Sequence, residues 1–567
     1  MSPGEARETI TREAHSLHFP PIVDLSNLQF SQLSKDLKNI KVLGRCSKLQ
    51  TTYKSEDLND RKCPLFQDYC RDVGIDVDNL VSHIQAPRTK ESFVKSILKC
   101  DVTPTLPHGA EKEQLFDVAK KYSLRMFAPV MARSKLTRDV EYNATTSPGI
   151  IWQKLGCKTK LDAIMHPEFK AYTDAHYLPI YSVLDKKEFL PKEDVINDGK
   201  IRTIFSPPTD FLLTQKIFTS DQNERFKAHC ESYDTFWSRY GFVKQYGGLN
   251  RLATHHSKFD LHFTSDGSGW DRVFSLMPSV WDQRAYFLGD AAKSPAFQYV
   301  RDNIQSAYLC MPDGSLLHVN NVGNRSGSDT TTTDNCWGHT IIAFYLVLLI
   351  GWRKFGKILS YEEVLRYTKF SLYGDDNFGS LDNSIFRLTS DELKALVTEA
   401  YGDFGVRVKA SQFFVQLGND VSGLEFLGST FFKANGHYYG LPRFGKLYTS
   451  LSRLLEKSKD KLPVCSCIAS VYDIVADVPH TECEAFTSLL VGYATWLLDS
   501  DFSSGLSDEC LNMLARVASR DSNFFSLLGY EAQYGVGFLN NVEQERFHPK
   551  ARDQVRGSIS EGDRQTL

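Results

Sequence analysis

Three short polar stretches occur in one order along the chain: TSDGSGWD with Asp266 and Asp271, GNRSGSDTTTTDN with Ser326 to Asn335, and SLYGDDN with Asp375 and Asp376. They lie far apart in sequence, so a fold that uses them together must bring the ends of separate strands to one place. Carboxylates presented that way are what two divalent cations a few ångströms apart require. An isolated GDD is a weak signal, because most such tripeptides are exposed turns. Ser326-Gly327, Thr331 and Asn335, set between two carboxylate stretches, make the combination specific.

The local patterns supply elements for these residues. In HSKFDLHFTSD, Phe259, Leu261 and Phe263 alternate with Asp260 and His262, the period of a half-buried strand ending at Asp266. Phe370 and Leu372 alternate with Ser371 and Tyr373 before Gly374-Asp375-Asp376, and Phe378 resumes the apolar pattern, which predicts a β-hairpin with an acidic tip. Gly374 allows the tight turn, and two adjacent acids repel each other unless cations neutralise them. Thr389 and Glu392 form a capping-box pattern ahead of Leu393, Leu396, Val397 and Ala400, a helix that stops at Gly402. The apolar run Ile341 to Ile350 continues only to Trp352 and predicts a buried helix running on from Asn335, too short for a bilayer, which needs about 20 residues. Phe486, Leu489, Leu490, Tyr493 and Leu497 mark an amphipathic helix in a mainly helical C-terminal region, and the last stretch, ARDQVRGSISEGDRQTL, reads as a frayed polar end.

The composition, 42% hydrophobic and 24% charged over 567 residues, is that of a folded protein with several domains or lobes. A net charge of only −3 excludes a surface that is basic throughout, so contact with a polyanion must be confined to a local channel. Two basic stretches are available: Lys120, Lys121, Arg125, Arg133, Lys135 and Arg138, then Arg443, Lys446, Arg453, Lys457, Lys459 and Lys461. Either can equally be a solvated helix face. The 12 cysteines show no zinc-ligand spacing and predict reduced thiols in a cytosolic compartment. The opening MSPGEARETITREAH lacks the apolar core of a signal peptide.

On these residues the chain resembles a viral RNA-dependent RNA polymerase of the picornavirus-like supergroup, with kin on the astrovirus or calicivirus side. The matching motifs run from about residue 145 to 433. The resemblance implies an α+β right-hand fold with fingers, a palm of antiparallel sheet packed on helices and a mainly helical thumb, closed by fingertips. It divides the chain into 1–255 (N-terminal extension and fingers), 256–279 (palm, first metal motif), 280–322 (fingers insertion), 323–432 (palm) and 433–567 (thumb and tail). Asp266, Asp375 and Asp376 would bind two Mg²⁺ or Mn²⁺ ions. Asp271, Ser326, Thr331 and Asn335 would read the ribose 2′-hydroxyl, which is both donor and acceptor.

KKEFLPKEDVINDGKIRTIF is similar to the family's basic fingers motif, in which Lys187, Lys200 and Arg202 grip the incoming triphosphate; Lys200, Arg202 and Ile204 alternate and would share one strand face. Its acids, Glu188, Glu193, Asp194 and Asp198, leave an ordinary charged hairpin open, and Lys192 has no firm counterpart. Thr145, Ser147 and Gly149 of TTSPG resemble the template-binding motif, or form only a turn. Lys409 of FGVRVKAS takes the place of the general acid for the departing pyrophosphate, or supports a strand. GLEFLGSTFF is similar to the primer-grip hairpin, with Leu424, Phe426, Leu427, Phe431 and Phe432 in the core.

The implied partners are an RNA template and product strand, ribonucleoside triphosphates, a protein primer and other viral replication proteins, with no transmembrane segment. The implied place is the host cell cytoplasm, at membrane-associated replication complexes. Two alternatives stay open: a reverse transcriptase, whose family typically has a bulky aromatic where Asp271 stands, and a catalytically inactive RNA-binding replication scaffold.

Overall fold

The computed structural model describes residues 18–23, 37–53, 63–86, 88–137, 140–186, 188–230, 232–244, 247–320, 322–453, 461–476 and 478–520, and the backbone of 556–557. The N-terminal stretch MSPGEARETITREAH, Arg138, Lys187, Lys457, Lys459 and most of the polar C-terminal stretch lie outside the described residues.

Nine strands build two sheets: β1 (Ile40–Arg45), β2 (Ile180–Asp185), β3 (Thr203–Ser206), β4 (Leu261–Ser265), β5 (Ser306–Cys310), β6 (Ser315–Asn320), β7 (Thr368–Tyr373), β8 (Asp376–Leu381) and β9 (Phe414–Leu417). The first sheet runs β1-β6-β5-β2-β3 and is antiparallel except where β2 and β5 pair in parallel. The second runs β7-β8-β4-β9 and is antiparallel throughout. A smaller antiparallel sheet of β10 (Glu425–Phe426), β11 (Ser429–Ala434) and β12 (His437–Pro442) follows. The mixture of segregated helices and mostly antiparallel strands is the expected α+β class.

Helices α1 (Ala110–Met131), α2 (Thr209–Ala228), α3 (Gly248–His256), α4 (Thr331–Phe355) and α5 (Ser390–Gly402) pack on these sheets or on one another. The centre is α4, which packs on α1, α5 and β7 and is buried from Thr333 to Gly351. It starts four residues before Asn335 and is 25 residues long, so it is longer than the apolar run suggested and could span a bilayer by length. The polar first turn extends it because Thr333, Asp334 and Asn335 are buried among hydrogen-bonding partners. Its most apolar window is 94% buried inside the protein, which makes it the core helix of this fold. Helix α5 carries the predicted capping box between Thr389 and Glu392.

Helices α6 (Phe444–Ser452), α7 (Leu462–Val475), α8 (Thr481–Asp499) and α9 (Asp508–Ala518) form a bundle with its own core. An N-terminal helix, Pro64–Asp72, joins that core through Phe66, Tyr69 and Cys70. All twelve cysteines are free thiols.

The structure corrects several local expectations. Strand β4 is buried on both faces, not half-buried: His262 is fully enclosed, with Nδ1 2.7 Å from Ser380 Oγ, so a polar residue at an alternate position faces a polar pocket rather than water. Lys200 and Arg202 do not share a strand with Ile204. Lys192–Asp198 forms a short helix that ends at the left-handed Gly199, and β3 begins only at Thr203. Phe431 is core, but Phe432 points to the other face of β11 and lies half-buried, edge-on to His480 at 5.1 Å. The basic stretches are dispersed: Lys120 pairs with Asp117, Arg125 with Glu362, Arg443 with Glu425, and Lys461 donates to the carbonyls of Phe502 and Ser504.

Candidate active site

The position of the acids follows from strand register. In the antiparallel pair of β8 and β4, Asn377 lies opposite Ser265. One step toward the hairpin tip come Asp376, before Asn377, and Asp266, after Ser265, so the register brings the first and last acidic motifs side by side at one end of the sheet. Tyr373 pairs with Asp376, leaving Gly374-Asp375 as a two-residue loop with Gly374 in the left-handed region at φ +65°.

Electrostatics reports the crowding. Burial, followed by the charges of Asp271 and Asp266, raises the Asp375 carboxyl above the usual carboxylate range. Burial, followed by Asp375 and Asp266, does the same to Asp376. Arg202 opposes the shift at Asp375 and Arg443 that at Asp376, which places both guanidinium groups within the field of the site.

Among the described residues, Lys409 is the cation that bonds Asp266 directly. Arg407–Val408 pairs with Gly267–Ser268, and the Lys409 N–H donates to the carbonyl of Asp266 at 3.1 Å. Its ammonium then donates to Asp266 Oδ2 at 2.5 Å and to Gln412 Oε1 at 3.1 Å. A positive charge thus rests on one of the candidate metal-binding oxygens.

Asp271, in the short helix Trp270–Val273, is held from both sides. Ser326 Oγ donates to Oδ2, and Asn335 Nδ2 donates to Oδ1 at 2.6 Å. The three residues of the predicted ribose-reading set are therefore in direct contact. Thr331, the fourth, turns its hydroxyl to the carbonyls of Arg325 and Ser328, both at 3.0 Å, and fastens the loop to the start of α4. Gly327 explains why this loop can lie flat on the first sheet: at φ +116°, a Cβ there would come within 2.5 Å of the Phe205 carbonyl. The adjacent Ser326 carbonyl accepts from Phe205 N at 2.6 Å.

Beneath the acids runs a buried polar chain. His339, one helical turn after Asn335, has Nδ1 2.9 Å from the Gly374 carbonyl and Nε2 2.6 Å from the Tyr401 hydroxyl. A carbonyl only accepts, so Nδ1 carries the proton and Nε2 accepts from Tyr401. The Tyr401 oxygen accepts in turn from Asn377 Nδ2 at 3.1 Å, and Asn377 Nδ2 also donates to Ser265 Oγ at 2.7 Å. Burial lowers His339 to about 4 and keeps the ring neutral. The Trp270 ring lies 4.5 Å from that of His339, so a single histidine touches the backbone turn of Asp375 and the helix of Asp271.

The remaining predicted residues are placed less centrally. Arg202 is exposed and pairs with Glu188 at 3.3 Å, and Lys200 pairs with Asp194 at 2.6 Å. Lys187 lies outside the described residues. Thr145 donates to Asn143 Oδ1 within a local turn, and Ser147 Oγ accepts from Gln153 Nε2 at 3.0 Å. Gly149 packs against Pro207 and Pro208, which follow β3, so this turn borders the end of that strand.

Sequence reading missed Asn324, His339 and Tyr401. His339 was legible in principle, since it shares a helix face with Asn335 at i+4. Asn324 sits two positions before Ser326 in the same glycine-rich loop. Tyr401 carried no local signal, because only tertiary packing brings it under Asn377.

Residues 124–497 match the family model described as viral RNA-dependent RNA polymerase. The non-structural polyprotein 1AB of turkey astrovirus 2 is 25% identical over 349 residues, covering 59% of this chain and 20% of the polyprotein. That of ovine astrovirus 1 is 26% identical over 291 residues, covering 48% and 20%. The genome polyprotein of zucchini yellow mosaic virus (strain Singapore) is 24% identical over 344 residues, covering 56% of this chain and 10% of the polyprotein. The chain spans about a fifth or less of the length of these relatives.

Proposed function

The chain belongs to the viral RNA-dependent RNA polymerase family, and from that premise we propose that it copies an RNA template into RNA by metal-assisted nucleotidyl transfer at Asp266, Asp375 and Asp376. The observation that carries the proposal is the register of Asn377 against Ser265, which sets these acids together beside the Asp271–Ser326–Asn335 cluster.

The residues fit a pair of Mg²⁺ or Mn²⁺ ions. Asp375 and Asp376, raised by burial and then by the charge of neighbouring acids, gain from a cation beside them, and the Lys409 ammonium already sits on Asp266 Oδ2. Among the described residues no three acidic, imidazole or thiol groups cluster tightly enough to hold an ion unaided. Mg²⁺ ordinarily takes its remaining ligands from water and substrate phosphates. When bound, the ions would lower the pKa of the attacking 3′-hydroxyl and offset charge on the leaving pyrophosphate.

The chain's own groups do the rest. Asp271, Ser326 and Asn335 hold the ribose by its 2′-hydroxyl, with Thr331 bracing the loop. Arg202, Lys200 and Lys187 hold triphosphate oxygens, Arg202 in bidentate fashion; to do so, Arg202 and Lys200 exchange Glu188 and Asp194 for phosphate. Lys409 leaves Asp266 and donates its proton to the pyrophosphate as the bond to the α-phosphorus breaks. Thr145, Ser147 and Gly149 line the template path.

In the right-hand description, the sheet of β7, β8, β4 and β9 with α4 and α5 serves as palm, the sheet of β1, β6, β5, β2 and β3 as fingers, and α6 to α9 as thumb. Contacts between the N-terminal Pro64–Asp72 helix and α8 support closure by fingertips: Tyr69 donates to the Leu489 carbonyl at 3.2 Å, and Trp496 Nε1 to Asp72 Oδ2 at 3.1 Å. The likeness to viral polyproteins supports action beside other viral replication proteins; the proposal adds a protein primer among the partners and places the work in the host cytoplasm at membrane-associated complexes. Primer extension on an RNA template, with and without EDTA and with ribo- against deoxynucleotides, tests the proposal. Metal-dependent ribonucleotide incorporation is expected; a preference for deoxynucleotides, or RNA binding without synthesis, would overturn it.

A further inference from the structure

We propose that Asn324 is a positioning residue for ribose selectivity, acting by locking the side-chain amide of Asn335 in the orientation that turns Nδ2–H toward Asp271. The inference rests on the ribose-reading role given above to Asp271, Ser326 and Asn335, and adds a residue outside that set.

Asn324 is 1% exposed and makes three directed contacts. Its Nδ2 donates to Asn335 Oδ1 at 2.9 Å and to the Thr331 carbonyl at 2.9 Å, while its backbone N–H donates to the Asp271 carbonyl at 2.8 Å. One buried residue thus joins the loop of Ser326 and the start of α4 through its side chain, and the chain at Asp271 through its backbone.

The chemistry makes the Asn335 contact decisive. The two ends of a carboxamide have nearly the same shape but opposite roles, one accepting and the other donating. An ionised Asp271 is acceptor-only, so it requires the nitrogen end of Asn335. Asn324 presents a donor from the opposite side and so requires the oxygen end. The two demands agree on one orientation. In it, Asp271 is engaged at Oδ1 by Asn335 and at Oδ2 by Ser326, and the second Asn335 Nδ2–H remains for a substrate oxygen. Without the Asn324 donor, the Asn335 oxygen is left buried with one partner fewer, and the amide is free to turn toward arrangements that place like dipoles against the carboxylate.

A site that recognises a hydroxyl discriminates because its polar groups are left unpaired when that hydroxyl is missing, and this requires them to be fixed in advance. Loosening Asn335 therefore lowers efficiency with the ribonucleotide and leaves the deoxynucleotide, which lacks the contact, nearly unaffected. A general loss of structure would lower both alike.

The experiment measures kcat/KM for ATP and dATP on one primed RNA template in Mg²⁺, for the intact chain and for Asn324→Ala, Asn324→Asp, Asn335→Ala and Asn324→Ala/Asn335→Ala. Asn324→Asp keeps the size of the side chain while removing its donor, and serves where the alanine variant is poorly folded by its melting curve. Both Asn324 variants should lower the ATP to dATP ratio about tenfold, the scale of one hydrogen bond, through the ATP term. With Asn335 already alanine, Asn324→Ala should change the ratio by less than about twofold, since coupled residues are non-additive. If Asn335→Ala lowers the ratio but folded Asn324→Asp matches wild type, the Asn324 inference is wrong and the ribose-reading role stands. If Asn335→Ala also leaves the ratio unchanged, the ribose-reading role itself fails.

Discussion

Asn377 faces Ser265 across β8 and β4 and donates Nδ2–H to its hydroxyl at 2.7 Å, so the residue after Asp376 is fastened to the residue before Asp266. A one-residue slip of this pair would send every side chain of β8 to the opposite face. The geometry of the acids is thus fixed by the backbone ladder and by the polar chain beneath it.

That chain gives the first prediction. Tyr401→Phe removes the hydroxyl that links His339 to Asn377 and leaves two buried polar groups short of a partner. Stability should fall by about 1–3 kcal/mol in urea unfolding. An unchanged midpoint would mean that these hydrogen bonds contribute nothing to stability.

A larger cost is expected at Arg284. Its guanidinium bonds Asp334, Gln222 and Asn223, and both it and Asp334 are fully buried. Arg284→Met strands the Asp334 charge one residue before Asn335 and should destabilise by about 3–5 kcal/mol. Pairing it with Asp334→Asn should recover part of the loss, and an absence of recovery would contradict the ion-pair account.

Acid should destabilise the fold through its buried histidines. His256 and His262 both contact Ser380 Oγ at 2.7 Å, and burial lowers His262 to about 4 despite Asp260 and Asp420. Native His262 is neutral, whereas the unfolded side chain takes up a proton near about 6.5. Below that value the unfolded state binds more protons, so stability is complete above about pH 6.5 and declines toward pH 4, by about 3 kcal/mol for His262 alone. Denaturant midpoints at pH 7 and 5 should differ less for His262→Gln than for wild type.

Much of this architecture was legible in the sequence where local chemistry and tertiary structure agree. The hairpin of Phe370 to Phe378 and the capped helix from Thr389 follow from short-range patterns and are present. Reading failed where burial changed the meaning of a polar residue. His262 looked solvent-facing because alternation assigns polar side chains to water, yet Ser380 and His256 make a polar pocket inside the protein. Lys200 looked like a strand residue because the turn at Gly199 is invisible to a period-two pattern. Asn324 and Tyr401 were missed because their roles come from contacts across the fold.

Lys409 should separate chemistry from binding. Lys409→Met removes both the proposed proton donor and the partner of Asp266 Oδ2. It should lower kcat about 10²-fold with little change in KM for nucleotide. A change in KM alone would assign Lys409 to binding.

The central claim is that Asp375 is an indispensable acid of a metal-dependent RNA-synthesising site. Single-nucleotide incorporation on a primed RNA template tests it most directly, with wild type and Asp375→Asn compared at saturating Mg²⁺ and Mn²⁺ and the fold checked by melting temperature. The account predicts a soluble, folded variant whose incorporation falls by at least about 10³-fold, the scale of losing one preorganised electrostatic group. Incorporation within a few-fold of wild type in that folded variant would contradict it.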